Sequence, residues 1–336
     1  MLRGISIALV AAALAGPAGA ATPPRAVTGM GEQNPTMFDD ARFLDTGIRH
    51  ARLILPYDVV TARGWQLGAA DAWLGAARRE GIEPLVTFTA RWGERRRVHL
   101  PSVREYAKRF AEFRARYPWV REFGTWNEAN LASSQPTGHH PRRTADYYRA
   151  LKRRCRGCTV VAVDILLTGN WRTWRWLRAF QARAGRGPHI FGLHNYPEVT
   201  RLRSHVTRAF LRRLPRARVW ITETGGIVRH NAWEYNEDRA ARVIRHVFRV
   251  TNGLHRIERL YLYNWRFDGN RDWDSGLIAR NGRPRLGYYE LLDGMSLARF
   301  RPVPLPVDEP IAPPLPPEPD PAPEPTPEPP AGGPDD

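Results

Sequence analysis

Residues 120–130 read VREFGTWNEAN. A short run holding Val120 and Phe123 leads into the polar cluster Trp126-Asn127-Glu128, and a helical pattern takes over near residue 142. A strand that ends in polar side chains and precedes an amphipathic helix is one βα unit. The same unit recurs on both sides. Upstream, strand patterns occupy residues 26–31, 48–55 (HARLIL at its heart) and 84–89 (PLVTFT), with helices expected at 66–80 and 103–117. Gly81 is placed to end the first of these helices. Downstream, strands are expected at 158–166 (CTVVAVDIL), 190–194, 218–222 (RVWIT) and 259–263 (RLYLY). Their helices fall at 142–154, 171–184, 203–214, 236–252 and 288–297. Eight β-then-α units in alternation predict a parallel sheet. No glycine-rich turn opens a helix after an early strand, as a nucleotide-binding open sheet would require. The expected fold class is therefore α/β, a single (β/α)8 TIM barrel, and the length fits one.

Neither end reads as part of that barrel. Residues 1–20 have the form of a secretory signal peptide: Arg3, an apolar run over 5–14, and Ala18-Gly19-Ala20 as a small-residue cleavage site. The run is too short to span a bilayer, so no transmembrane segment is expected after cleavage. Residues 302–336 contain 16 of the 30 prolines, 8 acids and no Lys or Arg. Such a tract favours extended polyproline and buries nothing, so a disordered acidic tail is expected. The catalytic domain is assigned to residues 21–301, and the protein is expected outside the cell, secreted or associated with the wall.

The formal charge is +17, and the acidic tail makes the rest of the chain more basic still. All basic residues except Lys108 and Lys152 are arginine, which reads as a genome-wide codon bias and not as a site. The charge leaves an anionic cell-wall polymer open as a partner. No nucleic-acid-binding motif accompanies it, so no specific nucleic acid is expected. The triple arginine at 95–97 reads as a solvated loop. Cys155 and Cys158 form the only C-x-x-C; in an exported protein this favours a structural disulfide. No further ligands stand nearby in sequence for a metal.

In a (β/α)8 barrel, function gathers at the carboxyl ends of the strands. Arg52 stands within the second strand, with Tyr57 and Asp58 just beyond it. Trp126, Asn127 and Glu128 follow the fourth, and His194, Asn195 and Tyr196 the sixth. Glu223 follows the seventh, and Asn264 and Trp265 the eighth. Two carboxylates across one barrel mouth suit glycosidic bond cleavage. One must protonate the leaving oxygen while the other attacks the anomeric carbon or activates water. Activity should then be bell-shaped with pH. Tryptophans and polar side chains around them would hold sugar rings. Asp58, Asp164 and Asp268 also stand near strand ends but belong to no motif.

GTWNEAN and, 95 residues on from Glu128, the glutamate of VWITETGG resemble the strand-four and strand-seven signatures of the clan A glycoside hydrolases. The similarity is greatest to WNEPN-type members such as family 39. It spans residues 29–301, including YNWRFDG and DSGLIARNGRPRLGYYELL. The resemblance implies a retaining glycosidase without metal or organic cofactor, acting on a poly- or oligosaccharide. It makes Glu128 the acid/base and Glu223 the nucleophile. Asn127 would bond the sugar 2-hydroxyl, Arg52 would be the counter-charge of Glu223, and Tyr196 would hydrogen-bond Glu223. His194 would line the same wall and Trp265 would floor the subsite, with Trp126 beside it. The chain departs from the pattern at Ala129, where these families have proline. It departs again at Gly225-Gly226, where an aromatic often follows the nucleophile. A non-catalytic wall- or polysaccharide-binding protein on the same barrel is the alternative; a pure binder has no need of both glutamates.

Overall fold

The computed structural model describes residues 26–296 apart from 63, 93–98, 232 and 271. The expected signal peptide, the proline-rich tail and Arg95–Arg97 lie outside the described residues. Nine strands form one sheet: β1 (Val27–Gly31), β2 (His50–Pro56), β3 (Glu83–Thr89), β4 (Glu122–Gly124), β5 (Thr159–Val161), β6 (Asp164–Leu166), β7 (Ile190–His194), β8 (Arg218–Thr224) and β10 (Ile257–Tyr263). Every neighbouring pair in it is parallel. A ribbon of β9 (Arg229–His230) and β11 (Trp273–Asp274) stands apart from this sheet.

Eight staves were expected and nine strands are found because the fifth is divided. β5 pairs with β4, while β6 pairs with β7. Between them the backbone changes partner: Ala162 N–H donates to Ile190 O at 2.9 Å, and Asp164 N–H reaches back to Trp126 O at 3.2 Å. One continuous stretch thus joins the two halves, and the sheet is a (β/α)8 barrel. Long helices follow the staves, among them α2 (Gln66–Arg79), α3 (Val103–Arg116), α5 (Trp171–Ala184) and α8 (Glu237–Asn252). Their ends obey local chemistry. Gly81 takes φ 64° just past α2, as a left-handed terminator does. Asn236 caps α8 by accepting from Arg239 N–H, with Glu237 and Asp238 in the first turn. Among the described residues, no helix is long and apolar enough to cross a membrane.

Alternation along the staves sorts side chains between the bore and the helices. On β3, Phe88 faces outward against Phe110 and Phe113 of α3, while Leu85 and Thr87 belong to the bore. The bore is filled in layers. At the amino ends, Arg259 donates to both carboxylate oxygens of Glu122 and lies over the Trp220 ring. Above it, Leu85, Val161, Ile190, Trp220 and Tyr261 form a dry cluster. Above that comes a polar layer: Arg52, Thr87, Asp164 and Thr222, all buried. Gly192 makes room for this layer, because a Cβ there would lie 1.8 Å from Asp164 Oδ1. The polar layer is the floor of the site.

Candidate active site

Arg52 organises the floor. Its guanidinium is 1% exposed. Nη1 donates to Glu223 Oε2 at 2.9 Å, and Nη2 donates to Asp164 Oδ2 at 2.8 Å and Asn127 Oδ1 at 2.7 Å. Burial opposes its charge, but Asp164 and Glu223 outweigh that and hold its pKa above the ordinary value. Asp164 is further held by Thr222 Oγ1, which donates at 2.8 Å. Residues from β2, β6, β8 and the turn after β4 are thereby fixed to one cation.

Glu128 sits on that turn in an unusual backbone conformation, with φ 45°. A non-glycine residue there is strained and persists only where its surroundings hold it. They do so on both sides. Asn127 N–H donates to Phe88 O at 2.7 Å, and Ala129 N–H to Asp164 O at 3.1 Å. The Asn130 amide bridges Leu166 O and Leu166 N–H, each at 2.9 Å. The Ala129 bond gives the departure from proline a consequence: proline has no N–H to make it. Gly225 and Gly226 have a physical reason too. A Cβ on the first would meet Tyr263 O at 2.4 Å, and on the second Ala240 O at 2.1 Å.

The two carboxylates meet at one histidine. His194 Nδ1 lies 3.0 Å from Glu128 Oε1 and 3.9 Å from Glu223 Oε2. Two atoms so close to a third stand no more than about 7 Å apart, a limit compatible with the carboxyl spacing of a glycosidase. Both side chains keep solvent access, 20% for Glu128 and 13% for Glu223. Tyr196 donates to Glu223 Oε1 at 3.3 Å. Burial and the Glu223 charge push its phenol well above the usual range, so it remains a donor. Arg52, Asn127, His194 and Tyr196 therefore surround the glutamate pair.

The tryptophans need correction. Trp126 and Trp265 have no exposed surface, so neither ring faces a sugar in this structure. Trp126 is stacked between Tyr57 and Tyr147, with Nε1–H donating to Gln135 Oε1 at 3.0 Å. It anchors the turn that carries Glu128. Trp265 packs on Phe43 and Tyr288, and its Nε1–H donates to Asp40 Oδ2 at 3.1 Å. A half-buried tryptophan, Trp273 on β11, instead packs edge-on against Tyr196, the partner of Glu223, at 5.0 Å.

Three further groups belong to the site or its frame without a motif to mark them. Asp164 stands near a strand end, and an acid inside the apolar run CTVVAVDIL has to find a buried partner. Tyr263 closes the wall next to Glu223, and burial first, then the Glu223 charge, raises its phenol. Glu32 follows β1 and accepts from the N–H groups of Gln33, Asn34, Trp265 and Arg266, tying β1 to the chain after β10. Burial pushes its carboxyl up to about 7 against those four donors. Cys155 and Cys158 are disulfide-bonded at the end of α4 (Pro141–Arg154). Among the described residues, the cluster with metal-ligand chemistry is His50, Glu83 and Glu122, at the opposite end of the barrel, where Arg259 already takes both Glu122 oxygens.

A pH dependence of stability follows. Burial alone would lower the His194 pKa, but the Glu223 charge and the Glu128 hydrogen bond outweigh it and the net shift is upward. Glu32 is also raised. A group whose pKa is higher folded than unfolded stabilises fully below its unfolded pKa, and the benefit is lost as pH rises through the folded value. The melting temperature is expected to fall as pH rises from about 5 toward 8, Glu32 acting in the lower part and His194 above about 6.5. Melting curves of His194→Asn should be flatter in the upper part. An unchanged slope would remove His194 from the account.

Fold and site together define a glycoside hydrolase. The chain belongs to the family described as the glycosyl hydrolase catalytic core, whose model matches residues 92–286. Solved structures share the fold. Xylanase 10B from Thermotoga maritima is similar at TM-score 0.59 and 11% identity, covering 80% of this chain and 94% of that one. A family 39 β-xylosidase from Caulobacter crescentus gives 0.58 and 17%, covering 81% and 72%. A family 39 glycoside hydrolase from Bacteroides cellulosilyticus WH2 gives 0.57 and 15%, covering 82% and 64%. No curated protein matches the sequence.

Proposed function

We propose that the protein is an exported retaining glycosidase that cleaves O-glycosidic bonds of a poly- or oligosaccharide by double displacement. The observation that carries this reading is the shared contact of Glu128 and Glu223 with one His194 nitrogen. In the first step the Glu128 proton passes to the glycosidic oxygen as the bond from that oxygen to the anomeric carbon breaks. A Glu223 oxygen forms a bond to that carbon, giving a glycosyl ester. In the second step Glu128 takes a proton from water, whose oxygen attacks the anomeric carbon and releases Glu223. Arg52 and Tyr196 hold the Glu223 carboxylate in place before and after each displacement. In this reading Asn127, itself pinned by Arg52, bonds a sugar hydroxyl. The signal-like residues 1–20 support export.

The test is the anomeric configuration of the first-formed product, read by proton NMR on the best substrate from a panel of aryl glycosides and polysaccharides. Retention is expected. An inverted product would exclude the glycosyl ester.

A further inference from the structure

At the same barrel end as the glutamate pair lies a hollow past β2 and β3. It has a volume of about 340 Å³ and is lined by Asp58, Thr61, Gln66, Arg91, Trp92 and Arg109 among others. That volume is within the range of small-molecule sites. Asp58 stands two residues past β2 and Arg91 two residues past β3, so the hollow borders the staves next to β4 and its Glu128 turn. A buried stack links the hollow to the turn that carries Glu128. Tyr57 stacks on Trp126 at 6.0 Å, and the Arg91 guanidinium lies 5.6 Å from the same Tyr57 ring.

The rim carries a feature the catalytic machinery does not use. Trp65, next to Gln66, is 67% exposed and stacks on Trp92 at 5.6 Å between ring centroids. A largely exposed tryptophan held flat by another offers an apolar platform in water. Among the described residues, the charged groups around it are matched in charge. Arg91 pairs with Asp58 at 2.7 Å and Glu105 at 3.1 Å, and Arg109 pairs with Glu112 at 2.9 Å. An acidic ligand would have to compete with these carboxylates, while hydroxyls can bond to such groups without breaking the pairs.

We propose that the hollow under Trp65 and Trp92 is a sugar subsite remote from the cleaved bond, and that it takes units of a neutral glycan chain. The substrate is then a chain and not a single-sugar glycoside. This rests on the reading of Glu128 and Glu223 as the groups that cleave a glycosidic bond.

The experiment uses the full chain and four hexasaccharide probes: β-1,4-linked xylose, glucose and mannose, and α-1,4-linked galacturonate. Binding to Glu128→Gln is titrated by NMR, with and without Trp65→Ala. Because Trp65 is exposed, its truncation leaves the core untouched; Trp92→Ala is the second variant. A neutral hexasaccharide is expected to bind, and Trp65→Ala to weaken it roughly tenfold. In the otherwise wild-type enzyme, Trp65→Ala should lower kcat/KM for that hexasaccharide about tenfold more than for the matching aryl monoglycoside, through KM. Equal losses on both substrates, preferential binding of the galacturonate chain, or no hexasaccharide binding at all would each overturn the subsite. If the wild-type chain hydrolyses nothing yet binds a neutral hexasaccharide through Trp65, the subsite stands and the catalytic reading falls.

Discussion

Glu223→Gln is expected to stop hydrolysis of every glycoside the enzyme accepts, on the order of 10⁴-fold or more, because the proposed mechanism assigns the covalent ester to Glu223. The amide keeps the shape of the side chain, and the site is partly open to solvent, so the variant should fold. Glu128→Gln is expected to fail differently. On glycosides with poor leaving groups it should lose roughly 10²–10⁴-fold, because the departing oxygen then leaves without a proton. A dinitrophenyl glycoside needs no such help. There the first step should survive and the second, which needs Glu128 as base, should not. Stopped-flow traces should show a burst of about one equivalent of phenol and then slow turnover. A burst from Glu223→Gln instead would exchange the two roles. Equal losses of Glu128→Gln on both leaving groups would remove it as the acid.

The positions of the two glutamates were legible because each ends a strand within one turn. An apolar strand ending in Asn-Glu or Thr-Glu announces both where it stops and what it presents. The staves were legible for the same reason, since β-branched runs and amphipathic helices differ over a few residues. What failed depends on contacts far apart in sequence. CTVVAVDIL reads as one strand, and only the change of partner from β4 to β7 divides it. Nothing local says that the ring of Trp265 turns to Asp40, some 225 residues away, and not to the bore. Nothing local says that Trp273, on a two-residue strand, stands beside Tyr196. Asp164 is the instructive case. Its acidity inside an apolar run was a usable signal, but its partner Arg52 lies 112 residues upstream.

Arg52→Met should have the second largest effect, on stability as well as activity. The substitution leaves Asp164 fully buried, with Thr222 Oγ1 as its remaining donor within 3 Å and His194 Nε2 at 3.9 Å. It also releases Glu223 and Asn127 from their common cation. Removing one member of a buried pair costs about 3–5 kcal/mol, mostly as the penalty of the charge left behind. For a chain of this size that lowers the melting temperature by roughly 10 °C. The origin of the loss can be separated from mere packing. Asp164→Asn placed on top of Arg52→Met removes the stranded charge, so the double variant should melt higher than Arg52→Met alone, a coupling of opposite sign to simple additivity. Arg52→Lys keeps a charge but not the fork that reaches three partners at once. It should therefore recover part of the stability and little of kcat, because Glu223 and Asn127 would no longer be aligned by one rigid group. A double variant less stable than either single one would mean that the polar floor holds by packing, and that Arg52 does not act as the electrostatic keystone of the site.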